Sequence, residues 1–396
     1  MKALRFERSV PRFAAARLAG SLAHGRGATV GPLRLRDVDL PDLPGPGWQR
    51  VRPRLAGICG SDLATIDATS SRWFEPIVSF PFVPGHEVVG DLDDGTRVVL
   101  QPVLGCAARG IEPPCDACTS GQVGRCANIA FGHLDPGLQT GYCAATGGGW
   151  STALVAHDSQ LHRVPDALSD EAAVMVEPTA CAVRGAFRAG TDATTVAVIG
   201  AGTLGLCTIA ALRRLVLTDD QHIVAAAKHP EQRALARELG ATTVVEPDQL
   251  DRVARRLTGS MATGDGEIGR LTGGVDVTVD CVGSADSLAQ ALAVTAPGGR
   301  IVMVGMPGRL TVDLTPLWHR EIELVGAYAY GVEPTGRPTF DLAFELVADA
   351  GLERLVSATY PLDRFTDAIA HAAEAGRRGA VKIAFDLRTE KERDRL

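Results

Sequence analysis

The spacing of apolar and polar residues changes character near residue 175. Up to that point the chain is rich in proline and glycine, and its apolar runs, such as residues 87–90 and 97–100, are short. Short runs separated by turn residues are typical of a β-rich domain with many loops. Residues 1–7 have the composition of a strand, so we expect the β-rich part to include them.

Between residues 195 and 327 apolar strands alternate with helical stretches. This alternation predicts a parallel, doubly wound α/β sheet, because crossovers between parallel strands are usually helices. Beyond residue 330 the pattern is mixed, with helices predicted at 339–350 and 364–375 and a strand at 380–385. In the alternating part we predict strands at 195–199, 223–226, 243–245, 275–280, 300–304 and 323–327, and helices at 204–215, 230–239 and 287–294.

Composition and charge narrow the class of protein. The 396 residues, 45% hydrophobic and 22% charged, suffice for two or three globular domains. A formal net charge of −7 with both signs interspersed provides no basic stripe for nucleic acid or anionic lipid, and no apolar run reaches the ~18 residues that span a bilayer. We therefore expect a cytoplasmic protein that acts on a small molecule, with neither nucleic acid nor membrane as partner. An amino-terminal targeting segment in the Arg- and Ala-rich stretch 12–26 is the weaker alternative.

The cysteines are unevenly distributed. Four of the nine, Cys106, Cys115, Cys118 and Cys126, lie within one short stretch. A long chain in a reducing compartment has little use for a disulfide framework, so this clustering indicates a metal site. Four reduced thiols without a metal remain the alternative.

A glycine-rich turn directly follows the strand at 195–199 and opens a predicted helix. In this turn Gly200 permits a tight bend, Gly202 lets the backbone approach a pyrophosphate, and Gly205 lets the helix pack on the strand. Thr203 and Leu204 begin the helix, whose positive end favours the pyrophosphate. The motif and its context predict a dinucleotide site. A glycine-rich turn without a ligand is the alternative.

The end of the second strand of the alternating part bears on the choice between NAD and NADP. An Asp or Glu at that point normally binds the adenosine ribose of NAD, and the expected position holds Ala227. No carboxylate would repel a 2′-phosphate there, while Lys228, His229 and Arg233 could attract one. We therefore predict NADP over NAD. Solvated cations at a helix start are the alternative.

Potential metal ligands recur in three separate segments. The segment GICGSD contains Cys59 and Asp62, PGHEVVG contains His86 and Glu87, and VEPTA contains Glu177. A thiolate, an imidazole and a carboxylate suit zinc, and three protein ligands leave a fourth position open for catalysis. In combination with the dinucleotide motif, these segments predict a catalytic metal site.

These motifs and their order resemble the zinc-containing medium-chain dehydrogenases. The resemblance is carried by Cys59, residues 85–87, Glu177 with Pro178, and the turn at 200–205, and residues 280–283 and 297–305 extend it over nearly the whole chain. It implies a GroES-like catalytic domain, a Rossmann dinucleotide-binding domain, and a homodimer or homotetramer. The implied boundaries are 1–178 and 330–396 for the catalytic domain, about 102–130 for its structural-zinc lobe, and 179–329 for the Rossmann domain.

The resemblance also implies the roles of individual residues. Cys59, His86 and Glu177 would hold the catalytic zinc, with Glu87 as an alternate ligand. Asp62 would orient His86 as a carboxylate that contacts the histidine ring and does not bind the metal itself. The other implied site residues are Ser61 as acceptor of the alcohol proton, Val282 and Gly305 at the cofactor, and Cys106, Cys115, Cys118 and Cys126 at a structural zinc.

Two departures from the family pattern stand out. Eight residues separate Cys106 from Cys115 where relatives usually have two. A longer loop can still close a four-cysteine site, because loop length costs little free energy. Ala64 occupies the place where many relatives carry a proton-relay histidine. His133 is a candidate substitute, although a surface histidine is the simpler interpretation.

The combined prediction is a zinc-dependent oxidoreductase that transfers a hydride between a secondary alcohol or polyol, or its carbonyl form, and NAD(P). Glu177 in place of a second cysteine is similar to the polyol, sugar and threonine dehydrogenase branches. We expect two zinc ions per subunit, and Ser61, Asp62 and Glu87 as the catalytic residues. The alternatives are a zinc-independent quinone or enoyl reductase on the same fold, and a non-catalytic use of the fold.

Overall fold

The computed structural model describes residues 1–264, 270–389 and Glu392. The chain divides into two compact units. The first unit comprises Met1–Glu177, Tyr330–Val332 and Gly351–Leu396. The second unit comprises Pro178–Ala329 and Glu333–Ala350.

The strands and helices of the described residues are listed here in chain order. The strands are β1 Lys2–Phe6, β2 Leu33–Asp37, β3 Trp48–Gly57, β4 Val88–Leu92, β5 Arg97–Leu100, β6 Leu154–His157, β7 Leu161–Arg163, β8 Thr195–Ile199, β9 His222–Ala226, β10 Thr243–Val245, β11 Ala262–Thr263, β12 Arg270–Leu271, β13 Val275–Asp280, β14 Thr295–Met303, β15 Glu323–Gly326, β16 Val356–Tyr360 and β17 Lys382–Asp386. The α-helices are α1 Val10–Leu22, α2 Gly27–Val30, α3 Gly60–Ile66, α4 Asp116–Thr119, α5 Asp170–Val174, α6 Val176–Ala189, α7 Thr203–Ala211, α8 Pro230–Glu238, α9 Leu250–Thr258, α10 Ala285–Val294, α11 Thr315–His319, α12 Thr339–Ala350 and α13 Phe365–Ala373.

The second unit is built on a six-stranded parallel sheet in the order β10-β9-β8-β13-β14-β15. Every residue of β8 is buried, as expected for a sheet covered on both faces. The strand order reverses between β8 and β13, and doubly wound sheets bind dinucleotides at this switch point. The predicted parallel sheet is confirmed, and β8, β10 and β13 have the predicted bounds.

The first unit is built on a seven-stranded sheet in the order β16-β17-β3-β4-β5-β7, with β6 paired to β3. All pairs are antiparallel except β16 with β17. Trp150 is fully buried in the core of this unit, with its ring 5.1 Å from that of Phe385. The predicted β-rich architecture is confirmed.

One predicted boundary needs a correction. The sequence places all of residues 330–396 in the catalytic domain, whereas residues 333–350 belong to the second unit. Helix α12 contacts α7, and Glu333 forms an ion pair of 3.1 Å with Arg184 of α6. A helix with an apolar face packs on whichever neighbour covers that face, and the sequence does not reveal which sheet this is.

The sequence also does not predict the helical insertion between β1 and β2. Helix α1 buries only the small residues Ala16 and Gly20, so it lacks the broad apolar stripe by which buried helices are recognised. The insertion is anchored through Asp67, whose carboxylate accepts the N–H groups of Gly25 and Gly27 at 2.7 and 3.0 Å. None of the described helices combines the length and the apolar composition needed to cross a membrane.

Candidate active site and metal centres

The turn after β8 has the geometry that a dinucleotide requires. Gly200 has a φ of +88°, which favours glycine, and a Cβ at this position would lie 2.4 Å from Val282. A Cβ on Gly205 would lie 1.7 Å from the Gly200 carbonyl oxygen, so α7 packs closely against the turn. Gly202, the N-cap of α7, faces open space where a pyrophosphate could approach the backbone. The three glycines fit the predicted cofactor.

Further predicted cofactor residues lie around this turn. Thr203 and Leu204 form the first turn of α7 and are half-buried. Val282 lies beyond the end of β13, and 48% of its surface is exposed, which leaves an apolar side chain available to a ligand. Asp280 shapes this second turn, because its carboxylate accepts the Val282 N–H at 2.9 Å. A Cβ on Gly305 would lie 2.5 Å from the Val282 carbonyl carbon. The turn after β14, which contains Gly305, therefore packs tightly against the turn that contains Val282.

The end of β9 carries the residues predicted to select the nicotinamide cofactor. Ala227 is fully buried, and its N–H donates to the carbonyl of Val245 at 2.9 Å. Lys228 is exposed. The Arg233 guanidinium donates to the carbonyls of Ala227 and Lys228 and forms a 3.1 Å ion pair with Glu246. Lys228 is therefore the exposed cation of this group, and a phosphate would compete with Glu246 for Arg233.

The first metal-ligand candidate lies where β3 passes into α3. Cys59 is the N-cap of α3, and its N–H donates to the Asp62 carboxylate at 3.0 Å. Asp62 is buried, and its Oδ1 lies 3.6 Å from Nδ1 of His86. Nδ1 of His86 is buried and has no hydrogen-bond partner among the described residues. Asp62 lies on the Nδ1 side of the ring, where a carboxylate that orients a metal-binding histidine is expected.

Cys59, His86 and Glu87 form a compact group, in which one ligand atom of each lies within 4.8 Å of the others. The predicted third ligand, Glu177, is not a member of this group, and the predicted alternate ligand Glu87 takes its place. Both oxygens of Glu87 accept hydrogen bonds from the Lys382 ammonium, at 2.7 and 2.5 Å. Glu87 is therefore already partnered by a cation.

Glu177 lies in the first turn of α6 and is buried, and its carboxylate accepts a hydrogen bond from the Tyr330 hydroxyl. Burial raises the pKa of Glu177 to about 8, the charges of Glu87 and Cys59 add to the rise, and His86 opposes it. The charges of the compact group thus act on Glu177. Glu87 and Glu177 are both candidate carboxylate ligands for one metal site.

The buried acidic groups of this cluster favour binding of a cation. Burial raises the pKa of the Cys59 thiol to about 12, and the charge of Glu87 adds to the rise. Burial also raises the pKa of Asp62. Lys382 is a cation among these acidic groups, and a divalent ion would stabilise the thiolate and the carboxylates further. The combination of sulfur, nitrogen and oxygen donors fits zinc.

The four clustered cysteines form a second group, with all four sulfur atoms within 4.8 Å of one another. Cys106 Sγ lies 3.6 Å from Cys126 Sγ, and Cys115 Sγ lies 4.0 Å from the same atom. A tetrahedral site with Zn–S bonds of about 2.3 Å has sulfur–sulfur edges of about 3.8 Å. The sulfur positions therefore fit a four-cysteine zinc site. Despite the longer loop after Cys106, its sulfur atom lies close to the other three.

Nearby N–H groups donate to these sulfur atoms. Asn128 donates from its backbone to Cys126 at 3.4 Å and from its side chain to Cys106 at 3.2 Å. The backbone N–H of Ala127 is the largest of several hydrogen bonds that lower the pKa of Cys115 to about 6. Such donors stabilise thiolates, the form in which cysteine binds a metal.

The loop that lengthens this lobe is organised by Arg109, which is fully buried. Its guanidinium donates to the carbonyls of Leu104, Phe131 and Gly137 at 3.1, 2.9 and 2.6 Å, and also to those of Leu134 and Asp135. Five carbonyl groups from two chain segments thus depend on one side chain. This network explains how the inserted residues keep a defined conformation.

Sequence reasoning missed several of these residues. Lys382 is one of only four lysines in the chain and stands between Val381 and Ile383 at the start of β17, which is a signal detectable in the sequence. Tyr142, Tyr330 and Asn128 reach the sites from distant segments, and nothing in their local sequence marks them. The candidate relay His133 is exposed and packs edge-on against Trp48, with ring centroids 6.4 Å apart.

Comparisons with known proteins agree with this arrangement. Residues 45–166 match the family model of the alcohol dehydrogenase GroES-like domain, and residues 203–349 match that of the zinc-binding dehydrogenase. L-Idonate 5-dehydrogenase from Vitis vinifera is 29% identical over 90% of this chain and 92% of its own length. Sorbitol dehydrogenase from Arabidopsis thaliana is 28% identical over 90% and 93%. A solved zinc-binding dehydrogenase from Sinorhizobium meliloti 1021, bound to NADP, aligns with a TM-score of 0.69 at 25% identity over 97% of this chain and 98% of its own.

The chain belongs to the zinc-containing medium-chain dehydrogenase family. The two family models together match more than half of the chain, and the curated relatives match it over nearly their full length. The predicted family, the predicted fold and the predicted class of NAD(P)-linked oxidoreductase are therefore confirmed.

We predict that the purified protein contains two zinc ions per subunit, and that Cys59→Ser retains only one. The lost ion is the one held at the compact group, because serine is a poor zinc ligand. Elemental analysis measures the stoichiometry, with Cys143→Ser as control, since Cys143 belongs to neither group of ligands. Two zinc ions in Cys59→Ser would contradict the assignment of Cys59.

We predict that Arg109→Met lowers the free energy of unfolding of the zinc-loaded protein by about 3 kcal/mol or more, because several buried carbonyls lose their donor. Urea unfolding measures the change. Arg125→Met is the matched control, since this exposed arginine belongs to the same lobe, and its effect should stay within about 0.5 kcal/mol. An equal, small effect of both substitutions would show that Arg109 does not organise the loop.

Proposed function

We propose that this protein oxidises a secondary hydroxyl group of a polyol or sugar-acid substrate with NADP, and reduces the corresponding ketone in the reverse direction. The observation that carries the proposal is the convergence of Cys59, His86 and Glu87 beside Ser61, which lies two residues after Cys59. A dinucleotide turn accounts for the redox partner, and a three-ligand zinc site accounts for activation of the alcohol.

The third zinc ligand in this proposal is a carboxylate. The compact group contains Glu87, but the hydrogen-bond partners of the two carboxylates support Glu177. Glu87 is bound at both oxygens by Lys382, whose ammonium also donates to the Ile58 carbonyl at 3.3 Å. A carboxylate that neutralises a buried lysine is a weaker metal ligand than one whose neighbour is a neutral hydroxyl, as for Glu177 and Tyr330. Glu87 and Lys382 then form a buried ion pair next to Cys59 and His86.

Zinc, when bound, supplies Lewis acidity that makes the substrate hydroxyl easier to deprotonate. Residues of the chain orient the metal ligand and accept the proton. Asp62 holds the ring of His86 in place, and Ser61 accepts the hydroxyl proton. A nicotinamide cofactor would supply the hydride acceptor, and the turn at 200–205 and Val282 would hold it. Oxidation therefore yields a ketone, a reduced nicotinamide and one proton.

The preference for NADP rests on the electrostatics at the end of β9. No carboxylate is available at Ala227, and Lys228 is exposed beside it. The NADP-bound relative from Sinorhizobium meliloti 1021 supports this proposal. The choice of a polyhydroxylated substrate rests on the idonate and sorbitol dehydrogenases to which the chain is similar.

We expect the protein to reduce NADP with sorbitol, xylitol or idonate as donor, at a kcat/KM at least about 10-fold above that for ethanol, because extra hydroxyl groups supply binding energy. Absorbance of the reduced nicotinamide measures the rate. Removal of zinc by a chelator abolishes it, and added zinc restores it. Reduction of quinones or enoyl compounds that does not depend on zinc would instead favour a zinc-free reductase.

We predict that Ala227→Asp lowers the ratio of kcat/KM for NADP to that for NAD by about tenfold or more, since one carboxylate facing one phosphate costs about 1.4 kcal/mol or more. Lys228→Met lowers the same ratio by removing an attractive charge. Arg237→Met, which removes an exposed cation from helix α8 further along the chain, is the control and leaves the ratio unchanged. A ratio below one in the unmodified protein would overturn the NADP assignment.

A further inference from the structure

Helix α1 carries apolar side chains on two opposite faces. On one face, Ala16 and Gly20 pack against the first unit and are buried. The residues of the opposite face, called the apolar stripe here, follow at intervals of four and are all exposed: Val10, Ala14, Leu18 and Leu22. Its three large side chains have exposed fractions of 79%, 69% and 74%. A helix that is apolar all round is normally covered by protein or by lipid, so we expect a cover over the stripe.

Close packing keeps the apolar stripe on the surface. A Cβ on Gly20 would lie 2.7 Å from the Cβ of Asp67, so the buried face of α1 has room for small residues alone. The Asp67 carboxylate also holds the segment after α1, through the N–H groups of Gly25 and Gly27. Rotation of α1 would push leucines into this narrow space. The stripe therefore stays exposed in the folded protein.

The segment around α1 carries only positive charge. Residues 8–36 contain six arginines and neither aspartate nor glutamate. Four of the arginines are exposed: Arg8, Arg17, Arg26 and Arg36. Among the described residues, Arg36 alone of these four has an ion-pair partner, which is Glu7 at 3.7 Å. The net charge of −7 for the whole chain averages over this local excess of positive charge.

The two-stranded ribbon of β1 and β2, which α1 connects, brings further positive charges together. Arg5 and Arg34 are directly opposite each other in the antiparallel register, and like charges in this position repel. Burial lowers the pKa of Arg34, and the charges of Arg12 and Arg36 add to the decrease. An anionic ligand next to this segment would offset the repulsion.

We infer that α1 docks on an anionic lipid surface, with the apolar stripe inserted below the headgroups and the exposed arginines at the lipid phosphates. Helices with an apolar face and basic flanks lie in the plane of a membrane surface in this way. Such attachment is reversible and needs no membrane-spanning helix. The residues outside 8–36 carry a negative net charge, so repulsion from the same surface would turn α1 toward the lipid. This inference does not depend on the proposed function.

The size and composition of the stripe disfavour a protein as its cover. The 13 residues of α1 rise about 20 Å and a helix is about 10 Å wide, so the stripe covers about 200 Å². A stable interface between two protein chains buries about 800 Å² on each partner. Residues 8–36 also contain neither tryptophan nor tyrosine, the residues that most often anchor a protein partner.

The charge of the segment disfavours a second copy in particular. Packing of α1 on α1 would bring the arginines of two copies together, and the segment has no carboxylate to pair with them. Lipid binding increases with apolar area and gains from each arginine near an anionic surface, so a small basic face is sufficient.

Flotation of the intact, zinc-loaded protein with lipid vesicles tests the inference. At low salt we expect binding to vesicles of phosphatidylcholine and phosphatidylglycerol, and binding weaker by about tenfold or more to vesicles of phosphatidylcholine alone, because the arginines lose their anionic partners. Binding to the mixed vesicles should decrease when the salt concentration rises from 0.1 to 1 M, since the screening length falls from about 10 to about 3 Å.

Two sets of variants separate the apolar and the electrostatic contributions. Leu18→Gln combined with Leu22→Gln should lower binding to the mixed vesicles by about tenfold or more, and glutamine preserves the helix. Arg17→Gln should lower it by about fivefold, and Arg17→Lys should retain it. Leu40→Gln combined with Leu43→Gln is the matched control. These two leucines are also exposed in the first unit, but each directly follows an aspartate, so binding should not change.

Absence of binding to the mixed vesicles at low salt would overturn the inference and leave the stripe to a protein partner. Binding that the Leu18→Gln, Leu22→Gln protein retains in full would also overturn it. A lower molecular mass of this variant in sedimentation velocity, without vesicle binding by the unmodified protein, would identify a second copy as the cover instead. Alcohol oxidation in solution should be the same in all these variants, so its failure would overturn the proposed function and not the docking on lipid.

Discussion

Ionisable groups that are buried together in an apolar core need compensating charge, and this constraint shapes the first unit. One region of this unit contains five such groups, those of Cys59, Asp62, His86, Glu87 and Glu177. Cys59 is half-buried, and the other four residues are almost completely buried. Lys382 compensates one of the carboxylates. Asp62 and Glu177 accept hydrogen bonds from neutral donors, and a divalent cation would stabilise their charged forms further. We therefore expect binding of zinc to stabilise the fold of this region.

The four-cysteine site meets a similar constraint by different means. Its thiolates are stabilised by neutral donors such as the backbone and side chain of Asn128, and the loop around it is held by Arg109. No open coordination position is expected with four protein ligands, which is typical of a structural zinc. The compact group at Cys59 has three ligand residues, which would leave a coordination position open for catalysis. The two sites thus divide stability and chemistry between them.

Most of the fold could be predicted from the sequence, because the strands of the second unit are apolar runs separated by recognisable turns. Strands β8, β10 and β13 and helix α12 have the predicted bounds. Helix α1 could not be predicted, since its buried face consists of small residues. The membership of α12 in the second unit depends on tertiary packing, which no local pattern encodes.

The candidate site was predictable where its residues belong to local motifs. The turn at 200–205, Cys59 and His86 are examples, and so is the pair of cysteines Cys115 and Cys118. Residues that complete the site through long-range contacts were not predictable. Lys382 contacts Glu87 from 295 positions further along the chain, and Tyr142 contacts Asp62 from a loop of irregular structure. The place of Glu87 ahead of Glu177 in the compact group likewise depends on tertiary geometry.

The central claim is that this chain binds two zinc ions with different ligand sets, one of which serves catalysis. Anomalous diffraction at the zinc absorption edge, from crystals grown without chelator, tests it most directly. The account predicts one peak among Cys106, Cys115, Cys118 and Cys126, and a second peak bound by Cys59, His86 and a glutamate carboxylate. A map with a peak at the four cysteines alone would contradict a zinc-dependent alcohol dehydrogenase.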